Sequence, residues 1–276
     1  MGFIDFHVHV TPPDIIAHWS KYAEKEPYFS LLSRSKCNKF AGAEDVIAAL
    51  DKRGFERAVI FGFGFRDMGL CRYVNDYVIE KVRQYPQKFT GFISVAPCGD
   101  EAAAEIERCY NAGLAGVGEL FPSGQNFDLE KGDIIFETCK KLRLPLLIHA
   151  DEPVGHLYPG KTNVSLKQLE KFVCSNQSLK IVLAHWGGGL MFYETISGIS
   201  KKFNNVYYDT AASPFLYDER IYNAAKALGL CEKILFGSDF PLLDQSRCME
   251  QLEKSCISDE DKKLILGGNA QKLLGI

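Results

Sequence analysis

His7 and His9 stand two residues apart in the run Phe3-Ile4-Asp5-Phe6-His7-Val8-His9-Val10. The run is apolar and rich in β-favouring residues, and Thr11-Pro12-Pro13 ends it, so it reads as a strand. Side chains i and i+2 of a strand point to the same face. Strict alternation therefore predicts Asp5, His7 and His9 on one face, with Ile4, Phe6 and Val8 on the other. Two imidazoles aimed at one point supply half the ligands of a zinc-type site. Taken alone, the pair could equally be two hydrogen-bonded histidines at a strand end.

Other polar residues close other short apolar runs. Glu119 ends Ala115-Gly-Val-Gly-Glu, His149 ends Leu144-Pro-Leu-Leu-Ile-His, and His185 ends Leu179-Lys-Ile-Val-Leu-Ala-His. Asp209 ends Val206-Tyr-Tyr-Asp, and Asp239 ends Lys233-Ile-Leu-Phe-Gly-Ser-Asp. Strands are expected near residues 3–9, 57–62, 89–95, 115–119, 145–149, 180–184, 205–209 and 233–238. Helical patterns fill the intervals, as in Ala43 to Arg53, where acidic Glu44 and Asp45 open a segment with Val46, Ile47 and Leu50 at helical spacing. Alternation of this kind predicts an α/β protein, a single closed (β/α)8 TIM barrel of parallel strands. In such a barrel the C-terminal strand ends meet at one mouth, where active sites lie. Residues 1–276 read as one domain, with 11–42 a lid or a rim excursion and 246–276 a C-terminal helical tail packed outside.

The chain has 276 residues, the size of one such barrel, with 46% hydrophobic and 24% charged residues, as in soluble globular proteins. A net charge of −3 leaves no basic footprint for nucleic acid, and no apolar run is long enough for a membrane. The N-terminus enters a strand at once, so no secretion signal is expected. Nine cysteines, none in a Cys-x-x-Cys pair, point to reduced thiols in the cytoplasm, a nucleophilic thiol being the alternative. The expected partner is a small-molecule substrate, with self-association into a homo-oligomer left open.

Asp5-Phe6-His7-Val8-His9, His149, His185 and Asp239, met in this order, resemble the signature of the amidohydrolase superfamily. Ala184-His185-Trp186-Gly187-Gly188-Gly189 and Gly237-Ser238-Asp239-Phe240-Pro241 are similar to the amidohydrolase-related branch, which includes aminocarboxymuconate-semialdehyde decarboxylase. The resemblance spans nearly the whole chain. It implies a divalent metal, zinc before others, held by His7, His9, His149 and Asp239 as one ion, with a second ion left open. His185 would then act in catalysis or bind that second ion. Glu119, in a Gly118-Glu119-Leu120 similar to the Gly-Glu-Ile of TatD-type metal-dependent deoxyribonucleases, would bridge metals or face substrate.

The chemistry expected first is hydrolysis: metal-activated water attacks an amide, ester or lactone bond of a small polar molecule. Asp239 would accept the water proton and His185 would donate to the oxyanion. The alternative is a nonoxidative zinc-dependent decarboxylase of an unsaturated or aromatic carboxylic acid. That reaction calls for cations aimed at carboxylates, for which Arg66 and Lys161 are the candidates. No arginine adjoins a strand-end motif, which tips the reading toward hydrolysis. A third reading, from another class, is a barrel that binds a small molecule without turnover. In Asp151 to Lys161, directly after the fifth strand, His156, Tyr158 and Lys161 are candidate substrate contacts, or the loop is merely solvated. Asp209 could orient a histidine, face substrate or cap a turn, and His18 reads as surface.

Overall fold

Short apolar runs bounded by turn residues become the eight strands of a computed structural model that describes residues 2–36, 39–129, 133–158, 161 and 164–276. The strands are β1 (Phe3–His9), β2 (Phe55–Phe61), β3 (Phe89–Ile93), β4 (Gly116–Leu120), β5 (Leu146–Ile148), β6 (Ile181–Leu183), β7 (Val206–Asp209) and β8 (Ile234–Leu235). They pair in parallel in sequence order, with helices in the intervals. Backbone bonds from Phe6 N to Phe236 O (2.7 Å), Asp239 N to His7 O (3.0 Å) and His9 N to Phe240 O (2.8 Å) join β1 to the β8 side. The protein is a (β/α)8 TIM barrel. β8 is shorter than its apolar run suggests, because the chain leaves the ladder at Phe236 and turns at Asp239, whose φ is 66°.

β1 departs from strict alternation. Its register against β2 runs Asp5↔Ala58 and then Val8↔Ile60, so β1 spends three steps where β2 spends two. This is a β-bulge, and it resets which face each side chain takes. Ile4 and Phe6 join the inner cluster with Val59, Phe61 and Leu147, whereas Val8 joins the outer layer with Ala58 and Ile60. The expected grouping of Asp5 with the two histidines is therefore corrected. Asp5 is bonded by Ser238 N at 2.9 Å and Gln245 Nε2 at 3.0 Å, away from the two imidazoles.

Helices cover the outer layer. In the helix over Ala43–Arg53, for example, Val46 and Leu50 are buried, and the N3 carboxylate of Asp45 accepts from Gly42 N at 2.9 Å. The segment between β1 and that helix folds as α1 (Pro13–Ala17), α2 (Trp19–Ala23) and α3 (Pro27–Ser33), and α4 (Ala43–Arg53) follows. Its ends are tied by Thr11 N to Ala41 O at 2.8 Å. After β2 comes α5 (Met68–Gln84). The tail is not wholly outside: Ala270 and Leu273 join the inner cluster, and Gly267 lies against Gly2 at the start of β1. The tail thus stops the end of the barrel opposite the mouth. Among the described residues no helix is long and apolar enough to cross a membrane. The eight described cysteines are free, and Cys37 lies outside the described residues. Burial pushes the Cys71, Cys109 and Cys139 thiols up, away from nucleophilic character.

Candidate metal centre

The β1 bulge and the β8 turn bring His7, His9 and Asp239 together, with Glu119 facing the two imidazoles. His7 Nδ1 donates to Asp209 Oδ2 at 2.8 Å, which puts the proton on Nδ1 and turns the Nε2 lone pair to the barrel mouth. His7 Nε2 lies 3.5 Å from Glu119 Oε2 and 3.7 Å from Asp239 Oδ1. His9 Nε2 lies 3.4 Å from Asp239 Oδ1 and 3.7 Å from Glu119 Oε2. Ligands at about 2.1 Å from a tetrahedral ion stand roughly 3.4 Å apart, close to these spacings. His7 Nε2 and Glu119 Oε2 are buried and have no hydrogen-bond partner, which calls for a cation between them. Two triads have the spacing and donor types of a divalent-ion site: His7, His9 and Asp239, and His7, Glu119 and His185.

The other oxygen of Glu119 faces a second pair. His149 Nδ1 is 2.9 Å from Glu119 Oε1, and His185 Nε2 is 3.1 Å from His149 Nδ1 and 3.7 Å from Glu119 Oε1. The far nitrogens are held from behind. His149 Nε2 donates to Asp151 Oδ1 at 2.8 Å and His185 Nδ1 donates to Ala211 O at 2.9 Å. His149 belongs to neither triad, whereas His185 belongs to the second, which differs from the ligand set that the resemblance implies. Asp209 proves to orient His7, and it also accepts from His185 N and Ala211 N at 3.0 Å each.

Glycines allow this crowding. A Cβ on Gly118 would lie 2.4 Å from Leu147 O, and one on Gly188 would lie 2.3 Å from Asp151 O. The turn after β6 can therefore press against the backbone behind His149. His185, Trp186 and Asp239 hold positive φ values of 55°, 59° and 66°, a backbone region that non-glycine residues occupy chiefly where a site demands it.

Each pairing shows in the titration. Burial would lower the His7 imidazole, but Asp209 and Glu119 outweigh it and hold it well above the usual range. Burial likewise opposes the His149 imidazolium, yet Asp151 and Glu119 lift it to about 10. Against the same burial, His7 and His149 hold the Glu119 carboxyl well below its usual value. On the other face of β1, burial dominates and lifts Asp5 to about 6. The cluster thus favours positive charge where protons, or a metal ion, can sit.

Above it lies a cavity of about 340 Å³. His9, Glu119, His149, His185 and Asp239 form its floor. Phe63 stacks on His9 with centroids 4.8 Å apart and Phe121 on His149 at 4.0 Å, so two floor imidazoles carry aromatic walls. Tyr28 and Leu32 of α3 close one side, and His156 and Tyr158 reach in from the loop after β5. Lys161 does not line the cavity: its Nζ donates to Val154 O at 2.7 Å and His156 O at 3.1 Å within its own loop. Arg66 is exposed and its Nε donates to Gly124 O at 2.8 Å. Among the described residues, Lys39 is the one lysine or arginine lining the cavity. His18 is a surface residue 3.7 Å from Asp14. Sequence reasoning missed Asp151, Phe63 and Phe121, whereas Tyr28 lies in the 11–42 segment expected as a lid or rim excursion. For Asp151 the spacing of two from His149 was an available signal.

Known proteins share this architecture. The family model described as Amidohydrolase matches residues 4–276. The chain belongs to the amidohydrolase family. This amidohydrolase is 27% identical over 248 residues to gamma-resorcylate decarboxylase of Polaromonas sp., covering 74% of this chain and 75% of the relative. It is 26% identical over 260 residues to 2-amino-3-carboxymuconate-6-semialdehyde decarboxylase of Dictyostelium discoideum, covering 79% and 70%. In fold it matches dihydroxybenzoic acid decarboxylase from Polaromonas sp., solved with manganese and 2-nitroresorcinol, at a TM-score of 0.72 and 20% identity over 99% of this chain and 97% of the other. An enzyme of the amidohydrolase superfamily is therefore at hand, and these relatives are decarboxylases, not the hydrolases that the absence of strand-end arginines had put first.

Proposed function

We propose that this amidohydrolase is a metal-dependent, nonoxidative decarboxylase of a one-ring aromatic or unsaturated carboxylic acid. The observation that carries the reading is the aromatic-walled cavity seated directly on a buried histidine–carboxylate cluster. Its volume of about 340 Å³ suits a single substituted ring. The decarboxylase relatives support the same chemistry.

His7, His9 and Asp239, with Glu119 facing them, would hold the divalent ion, and manganese stands beside zinc as a candidate because a protein of the same fold was solved with manganese. When bound, the ion supplies Lewis-acid charge to substrate oxygens. Phe63 and Phe121 hold the ring over the floor. His185 has Nδ1 fixed on Ala211 O and presents Nε2 to the floor. The bond between ring carbon and carboxylate breaks, its electron pair stays on the carbon, a proton from His185 Nε2 fills that position, and carbon dioxide leaves. Tyr158 and His156 contact the outer part of the substrate, and the earlier candidate Lys161 only shapes their loop.

One observation favours a second reading. Glu119 offers one oxygen to each imidazole pair, so His7, His9, His149, His185, Glu119 and Asp239 would have donors for a second ion, which would supply activated water for hydrolysis. Product analysis separates the two readings. The protein, loaded with manganese or zinc, is incubated with 2,6-dihydroxybenzoate and related ring acids in ¹⁸O-water. Carbon dioxide released in step with loss of the acid is expected. Label entering a carboxylate product from ester or lactone substrates overturns the proposal for hydrolysis. Saturable binding with no product makes the barrel a binding protein.

A further inference from the structure

Glu26 is a buried carboxylate, 1% exposed, far along the chain from the strand-end cluster. It accepts from the two amides just ahead of α5. Oε1 takes Asp67 N at 2.7 Å and Arg66 N at 3.1 Å, and Oε2 takes Arg66 N at 2.9 Å. Those amides precede a 17-residue helix, whose N-terminal field favours a negative charge there. Burial lifts the Glu26 carboxyl, and the two amide bonds pull it back.

The backbone of the same residue begins α3, because Ser30 N donates to Glu26 O at 2.7 Å. Everything α3 brings to the cavity therefore hangs from this point. Tyr28 and Leu32 line it. Phe29 packs on Phe63 and Phe65 with ring centroids 5.4 and 5.2 Å apart. The Tyr28 ring lies 4.7 Å from that of Phe121 and against Gly124, where a Cβ would come within 2.8 Å of it. Arg66, whose amide holds Glu26, sends its side chain to Gly124 O at 2.8 Å. One residue pair thus ties α3, the loop after β2 and the loop after β4 into one wall.

We propose that Glu26 is a positioning residue for the substrate cavity: its carboxylate clasps α3 to the amides ahead of α5 and so sets Tyr28 and Leu32 as the wall over the metal cluster. The kinetic part of its test rests on the decarboxylase reading, and the exchange part does not.

Hydrogen exchange is measured on the metal-loaded wild type, Glu26→Ala and Glu26→Gln. In Glu26→Ala, exchange at Arg66, Asp67 and residues 28–33 is expected to rise roughly ten- to a hundredfold while the β-strand amides hold, the size expected for losing a charged hydrogen-bond acceptor. Sodium formate, a carboxylate small enough for the vacated space, restores protection, and sodium chloride at equal ionic strength does not. Glu26→Gln, which keeps one acceptor oxygen, falls between. With 2,6-dihydroxybenzoate, KM rises about tenfold and kcat stays within about threefold, because the wall moves and the floor does not. Unchanged exchange in Glu26→Ala, equal rescue by chloride, or a rise spread through the strands overturns the clasp. If Glu26→Ala does not fold, the same exchange comparison on Glu26→Gln decides. If the wild type releases no carbon dioxide, the function fails, and the exchange result still decides the clasp.

Discussion

The two sides of the Glu119 carboxylate are built differently. On the Oε2 side, His7 and His9 come from one strand, and the buried Nε2 of His7 has no hydrogen-bond partner. On the Oε1 side, His149 and His185 come from neighbouring strands and touch each other at 3.1 Å, each with its other nitrogen fixed by Asp151 or by Ala211 O. The first pair is prearranged for a cation. The second already satisfies its own hydrogen bonds, as suits groups that hold and pass a proton. A single buried carboxylate can therefore serve binding on one edge and proton transfer on the other.

The contrast can be broken at several points. Asp239→Asn removes charge from the first side, and turnover is expected to fall about 10⁴-fold with the melting temperature held, as read by rate and calorimetry. His185→Ala should lower turnover about 10²- to 10³-fold while metal content, measured by elemental analysis, is retained. A parallel loss of metal would make the second side a metal site too. Asp209→Asn leaves His7 free to take the wrong tautomer, and metal affinity in a chelator competition should weaken about 10–100-fold.

The His149 imidazole gives a pH test. Its folded value of about 10 exceeds its ordinary 6.5, so its contribution to stability is complete below about 6.5 and is lost as pH rises through about 10. Metal-free protein should lose stability across that window in denaturant titrations, and a bound metal, whose charge opposes the nearby imidazolium, should flatten the curve. An identical slope with and without metal would show that His149 lies outside the electrostatic reach of the centre. The smallest effect is expected from Lys161→Ala, a change in KM within about threefold, since its ammonium serves loop carbonyls.

Much of this was legible in the amino-acid order. Apolar runs ending in His149, His185 and Asp239 announced strands that converge, and the barrel followed from their alternation with helices. What was not legible depends on events that alternation does not encode. The bulge in β1 moved Asp5 away from the histidines. The ring of Phe121 comes over His149 only because the loop after β4 folds back, with Phe121 N bonded to Gln125 Oε1 at 2.9 Å. Lys161 carried the right charge for an anion, but two carbonyls five and seven residues before it stood closer. The tail looked like an outer layer, yet its small and apolar Ala270 and Leu273 fit the open end of the barrel.

The extra residue in β1 also bears on transplanting this centre. Without the miscount, a seven-residue strand that buries Ile4 and Phe6 inward at one end would send both imidazoles outward at the other, beneath the helices. With it, the strand works as a vernier, whose two scales slip by one division so that plug and tool face the same way. A designer copying the His-x-His pair into another barrel must copy the slipped division as well.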